Sequence, residues 1–328
     1  MANTKITNPE LFNLGVSTSA TQLPVMTTTE RTAMSTPSVG ETIFNSTTDK
    51  VEYWDGAKWY GVTIEVGVVI EYWVIGGGGS AGRDNTNGTA FGGGGGGGIL
   101  TGTVTISSGE TLTATTTGQG GNYQTSANIG GNPGGNTTLT SQTLGTLTAD
   151  GGGGGGSLGA QAGGNGGSGG GGSGSGLGGT ATVGQGFNGG NSAGGYWSAG
   201  GGGYLAAGLS INGGAGINLT YAKSNNVLAT EMFSYGGGSR QGTYPYTAGT
   251  NGDGTASSTG INTTAGVSSE PYRGSGGRWM GGGGNSGSIL IKAPIANTYT
   301  STGGIIIATD SNYRYFTLTG TGSTLTIN

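Results

Sequence analysis

The chain has 328 residues with a formal net charge of −4 and 8% charged residues; 82 are glycine, and none is cysteine or histidine. That inventory excludes disulfides, thiolate and imidazole metal sites, and every catalytic device that needs a histidine base. There is no basic stripe to neutralise phosphates, which argues against nucleic-acid binding. Hydrophobic residues make up only 31%, so any apolar core is thin for this length. Backbone hydrogen bonding and oligomerisation must supply part of the stability.

The first segment, MANTKITNPELF, lacks the apolar run of a secretory signal. Further on, Thr27 and Glu30 have the spacing of a capping box, which predicts a short helix over 28–34 stopped by Pro37. ETIFN (41–45), VEYW (51–54) and WYGV (59–62) then read as strands joined by polar turns. VGVVIEYWVI (66–75) is too short to span a bilayer and is interrupted by Glu71. It reads as a strand that runs straight into glycine.

Between Gly76 and Gly284 lie 72 of the 82 glycines, with solid runs at 76–79, 92–98, 151–156, 169–172, 200–203 and 281–284. Glycine gives up the most backbone entropy on ordering. The tract is therefore either a flexible linker or a structure that only glycine can build. Three features favour order. Trp73, Trp197, Tyr204 and Trp279 abut the runs, as rings packed on bare backbone would. Residues 151–222 contain no Asp, Glu, Lys or Arg, whereas disordered chains usually stay soluble through charge. Thr- and Ile-rich stretches at 99–117, 136–150 and 288–294 read as strands within it. Collagen requires glycine at every third position with abundant proline, and the chain has seven prolines. What remains is a bundle of left-handed polyglycine helices of the polyproline II type. These have no internal hydrogen bonds and so must pair with one another.

The least glycine-pure part of the tract, 217–280, holds seven charges (Lys223, Glu231, Arg240, Asp253, Glu270, Arg273 and Arg278) after a stretch with none. It also carries Tyr235, Tyr244, Tyr246 and Tyr272, which read as exposed. Tyrosine and arginine are favoured at interfaces, and aromatic faces suit sugar rings. Tyr235, Arg240, Tyr244, Tyr246, Tyr272 and Arg273 are thus candidate contacts for a binding partner. The competing reading has them cap the bundle or meet a sister subunit. The carboxylates are too scattered to nominate an acid–base pair, and GxGxxG matches arise by chance in such a tract. No enzyme activity, cofactor or metal is expected. IIIAT (305–309), YRYFTLTG (313–320) and TLTIN (324–328) close the chain as ordinary strands.

Residues 92–121, LTADGGGGGG (147–156) and GGGGNSGSILI (281–291), entered by an aromatic-aliphatic strand, resemble the glycine-rich domain of bacteriophage virion proteins. They are especially similar to versions from tail fibres of phages that infect cyanobacteria. Residues 23–62 are similar to a small module repeated in phage tail fibres. The resemblance implies an all-β fold in which a β-sandwich frames a sheaf of polyglycine helices, with a small β module at each end. The expected division is 1–65, 66–294 and 295–328. It further implies a virion tail protein made in the host cytoplasm without a signal peptide, a homo-oligomer, typically a trimer. Its expected partners are other tail proteins and a host surface glycan or outer-membrane receptor. The alternative is a filament subunit that polymerises head to tail by strand addition: the edge of strand 324–328 is to be covered within its own subunit, by a sister chain in a trimer, or by the next subunit along an axis, and only the last gives a filament.

Overall fold

The computed structural model describes residues 23–62, 67–84, 91–122, 124–158, 162–195, 197–241, 247–248, 250–252, 273–277 and 282–328. The chain divides into two compact units, Met1–Glu65 and Val66–Asn328.

In the first unit, β1 (Val25–Met26), β2 (Thr42–Asn45), β3 (Lys50–Trp54) and β4 (Trp59–Val62) form one sheet in that order, with β1 parallel to β2. Helix α1 (Thr28–Thr32) starts on the expected capping box: Thr27 Oγ1 accepts from Glu30 N–H, and Glu30 Oε2 accepts from Thr27 N–H at 2.7 Å. The helix is shorter than the 28–34 expected. Its end falls where Thr32 Oγ1 turns back to donate to Thr28 O at 2.7 Å, a local bond that competes with the helix. Buried Glu52 ties helix to sheet, accepting from Arg31 Nη1 (2.5 Å), Asn45 Nδ2 (3.0 Å) and Thr48 Oγ1 (3.1 Å). Burial raises its pKa, but these donors outweigh burial and hold it below the usual value.

The second unit contributes β5 (Val68–Ile75), β6 (Ile99–Ile106), β7 (Thr111–Thr116), β8 (Thr137–Ser141), β9 (Gly145–Ala149), β10 (Ile217–Lys223) and β11 (Val227–Phe233). These are followed by β12 (Arg240–Gln241), β13 (Thr247–Ala248), β14 (Ser288–Pro294), β15 (Tyr299–Thr302), β16 (Ile305–Thr309), β17 (Tyr313–Leu318) and β18 (Thr324–Ile327). Two five-stranded sheets result among the described residues, ordered β16-β17-β14-β5-β6 and β15-β18-β7-β8-β9. Period-two alternation packs them face to face. Val68, Ile70, Val74, Ile289, Ile291 and Phe316 from the first sheet meet Leu112, Leu139, Leu325 and Ile327 from the second. The intervening residues Trp73, Ile75 and Leu290 point the other way, onto Leu219, Tyr221 and Phe233 of the β10–β11 hairpin. The molecule is nearly all β, as expected.

Residues 295–328 do not stand apart from the sandwich. β16 and β17 extend the first sheet, while β18 lies between β15 and β7 in the second. The reason is in the pattern: Leu325 and Ile327 alternate onto the buried core. The edge at 324–328 is thus covered within its own subunit, by β15 and β7, which removes the support for strand addition there.

The glycine runs leave the sheets as continuations of strands. β5 and β6 pair up to Ile75 opposite Ile99, after which Gly76 donates to Gly98 O, Gly79 to Gly95 O and Gly82 to Gly92 O. Pairing at every second residue becomes pairing at every third. Residues 92–98 show the pattern most fully. Gly92, Gly95 and Gly98 donate to Gly156, Gly153 and Asp150; Gly93 and Gly96 to Ala199 and Gly202; Gly94 and Gly97 to Gly277 and Gly274. Their carbonyls follow the same period. Gly92, Gly95 and Gly98 accept from Gly82, Gly79 and Gly76; Gly93 and Gly96 from Gly171 and Ser168; Gly94 from Gly237 and Gly97 from the Ser234 hydroxyl. One run is thus bonded to six neighbours, with backbone N···O distances of 2.7–3.1 Å. Such contact leaves no room for side chains. A Cβ on Gly93 would lie 2.0 Å from Gly237 O, on Gly153 1.9 Å from Gly164 O, and on Gly171 1.9 Å from Ala199 O.

Gly153→Val and Gly171→Val are each expected to lower stability by more than the roughly 1–3 kcal/mol of ordinary overpacking, because backbone rather than a side chain must move. Gly145 is a control: its φ is +66° and nothing lies within 4 Å of an added Cβ. Gly145→Ala should cost only about 1–2 kcal/mol of left-handed strain. Denaturant melts of the three variants check the contrast.

Candidate functional site

The sequence nominated an arginine- and tyrosine-bearing surface within 217–280. Tyr235 is 5% exposed, and its carbonyl accepts from Gly276 N–H at 2.9 Å, so it lies inside the glycine assembly rather than on a surface. Its position directly before Gly236–Gly238 explains why: the chain re-enters the bundle there. Arg273 is also engaged. Its Nη2 lies 2.6 Å from Glu231 Oε2, and Glu231 further accepts from Tyr221 Oη (2.7 Å) and Lys223 Nζ (3.1 Å). This group fastens residue 273, where a glycine run begins, to the β10–β11 hairpin. Arg240 pairs through its backbone with Ala248; its side chain, Tyr244, Tyr246 and Tyr272 lie outside the described residues.

The aromatic residues expected to pack on glycine divide. Trp73 and Tyr204 are partly buried against Ile75, Ile99, Leu290 and Phe233. Trp197 is 44% exposed, so it is only partly covered. Trp279 lies outside the described residues.

A group of exposed apolar residues falls where the sequence reading did not look. Between 177 and 209 the described residues expose Leu177, Val183, Phe187, Trp197, Leu205 and Leu209, with Val183 98% exposed. Val183, Phe187, Asn188, Tyr204, Leu205 and Ala207 line an open depression of about 590 Å³. The backbone holds its walls: Gly169 N–H donates to Phe187 O, Phe187 N–H to Gly203 O, and Gly208 N–H to Asn188 O. Val183 projects from a turn whose next residue, Gly184, has φ +78°. The depression sits in the charge-free stretch 151–222. Thr182, which also lines it, donates from Oγ1 to the Asp150 carboxylate at 2.8 Å. Large exposed apolar patches mark interaction sites. The available sequence signal was a scatter of bulky apolar residues within a glycine-rich, charge-free stretch. Among the described residues no group of three acidic side chains converges as a cation would require. No described helix is long and apolar enough to cross a membrane.

This arrangement, glycine runs bonded to one another and framed by a sandwich, can be set beside known families. Residues 56–304 match the glycine-rich domain family. That is more than half of the chain, which therefore belongs to this family. Residues 3–74 match the phage tail like trimerisation region. This second match supports a phage tail structural protein, a component of the virion, that assembles as a homo-oligomer of three chains. No curated protein and no solved structure matches the chain.

Burial raises the pKa of Glu231, but the bonds from Tyr221 and Lys223 and the charges of Arg273 and Lys223 outweigh it and lower it overall. A folded-state pKa below the unfolded value stabilises the fold above the unfolded pKa, near 4.3, and that stabilisation is lost as pH falls through the folded pKa. Glu231→Gln should therefore melt below the parent at neutral pH, with the gap closing once the pH drops below about 4. Thermal melts of both proteins across the acid range test this.

Proposed function

We propose that the chain is a non-enzymatic tail-fibre or receptor-binding protein whose trimer presents the depression around Val183, Phe187 and Leu205 to a neutral glycan of the host surface. The observation that carries this reading is a large exposed apolar surface on a charge-free part of a rigid, backbone-bonded scaffold. Residues 151–222 bring no Lys or Arg to meet an anion, whereas a neutral sugar ring can lie on Phe187 and Leu205 with its hydroxyls toward Thr182 and Asn188. Scaffolds that hold loops rigidly are suited to display binding residues. The non-enzymatic part rests on the missing histidine and cysteine and the scattered carboxylates. Tyr244, Tyr246 and Tyr272 remain part of the proposed contact surface.

The runs are further proposed to adopt the left-handed polyglycine form. Support comes from the partner that recurs every third residue and from six neighbours around 92–98, since that helix turns once per three residues.

The double variant Phe187→Ser with Leu205→Ser should lose most adsorption to host cells while keeping the parent's melting temperature and a trimer mass by sedimentation equilibrium. Unchanged adsorption would overturn the glycan site. A monomer mass for the parent protein would overturn the trimer.

A further inference from the structure

Five Asn-Gly pairs occur in the chain, and four of them, beginning at Asn165, Asn188, Asn212 and Asn251, are described. Asn-Gly is the dipeptide most open to spontaneous deamidation, because glycine puts no side chain in the way of ring closure. The Gly nitrogen attacks Cγ of the preceding Asn, forming an N–Cγ bond. The Cγ–Nδ2 bond breaks, and Nδ2 leaves as ammonia, carrying the proton lost from the glycine amide. Water then opens the cyclic imide at either carbonyl, giving aspartate or isoaspartate. Two groups must be free for this: the glycine N–H and the Asn carboxamide.

Here both are tied at every described pair. Thr180 N–H donates to Asn165 Oδ1 at 2.8 Å while Gly166 N–H donates to Thr180 O at 3.2 Å. Asn212 does the same with Thr250, which donates to Oδ1 at 2.8 Å and accepts from Gly213 N–H at 2.8 Å. Ala181 N–H donates to Asn188 Oδ1 at 2.7 Å, and Gly189 N–H donates to Gly179 O at 2.9 Å. Gly238 N–H donates to Asn251 Oδ1 at 2.9 Å, and Gly252 N–H donates to Gly236 O at 3.0 Å. In each case the side-chain carbonyl stands in for a backbone carbonyl of the assembly, and the attacking nitrogen is committed to a neighbouring run. Asn165, Asn188 and Asn212 are nonetheless exposed, whereas Asn251 is buried. Water can reach three of the four.

We propose that these Asn-Gly pairs are deamidation sites held shut by the backbone lattice, so that their modification reports local opening of the runs and not solvent exposure. The consequence is one-way. Isoaspartate routes the main chain through Cβ and Cγ, adding a methylene to the backbone, and a run lengthened by one atom cannot restore a period of three.

The test is peptide mass spectrometry of the full-length protein incubated in mildly alkaline buffer, folded and in urea, with aspartate and isoaspartate scored at each pair. The expected result is deamidation at least about tenfold slower in the folded protein at all four positions, the exposed three included, as for groups that react only after local opening. Equal rates folded and unfolded at Asn165, Asn188 and Asn212, with Asn251 alone spared, would overturn the proposal in favour of exposure. Gly179→Ala adds a local test, since its Cβ would lie 1.8 Å from Gly164 O. It should accelerate Asn165 and Asn188, both tied to residues 179–181, and leave Asn212 and Asn251 slow. A folded variant with no acceleration at the first two would also overturn it. If the variant unfolds instead, all four positions must react at the urea rate, and failure to do so would count equally against the proposal.

Discussion

A peptide group taken out of water must find a partner, and leaving one unpaired costs about 1–3 kcal/mol. In helices and sheets the partner comes from the same element or an adjacent strand. In the buried run 92–98 it comes from six surrounding runs, none of which is closed on itself. That solution is available only where nothing projects between neighbouring backbones. A Cβ on Gly93 would meet an oxygen at 2.0 Å and one on Gly171 at 1.9 Å, which is why these positions are glycine. The glycines' entropy on ordering has to be offset by bonds, because the runs have almost no apolar side-chain area to bury.

The sandwich makes the arrangement possible. Bare runs have no side chains to specify which neighbour lies where, so alignment is set at their ends. β5, β6, β9 and β14 deliver the chain at fixed spacing, and Ile75, Ile99 and Leu290 hold the delivery points together under the β10–β11 hairpin. Run directions are mixed: 92–98 is antiparallel to 150–156 but follows the same direction as 199–202. Polar side chains finish what glycine leaves open. Gln185 Oε1 accepts from Asp150 N–H at 2.7 Å and Asn136 Oδ1 from Gly151 N–H at 2.9 Å, where the second sheet gives way to glycine.

Much of this was legible in the residues. The strands at 68–75, 305–309 and 59–62 fall where apolar and aromatic segments between turn residues placed them, and the Thr27–Glu30 box starts its helix. These are local signals, and local chemistry decides them. Two misreadings were failures of long-range information. The segment 295–328 reads as a detached hairpin because nothing in its sequence states that β14 will accept β17 or that β7 will accept β18. Tyr235 and Arg273 read as surface contacts by residue type. Their fates were set by Gly276 and Glu231, each about 40 residues away in the chain. The depression at 181–207 escaped for a related reason, since isolated apolar residues in a glycine tract show no periodicity to mark which side they face.

The six-neighbour bonding of residues 92–98 has a mechanical consequence. An α-helix under tension lengthens by surrendering its own bonds one turn at a time, and a hairpin peels from its end. A run with no bonds of its own cannot lengthen in either way. Force along its axis is carried sideways into every adjoining run at once, and failure requires simultaneous shear of all the bonds along its length. The tract that looks softest in sequence is thus built to carry load across many runs at once.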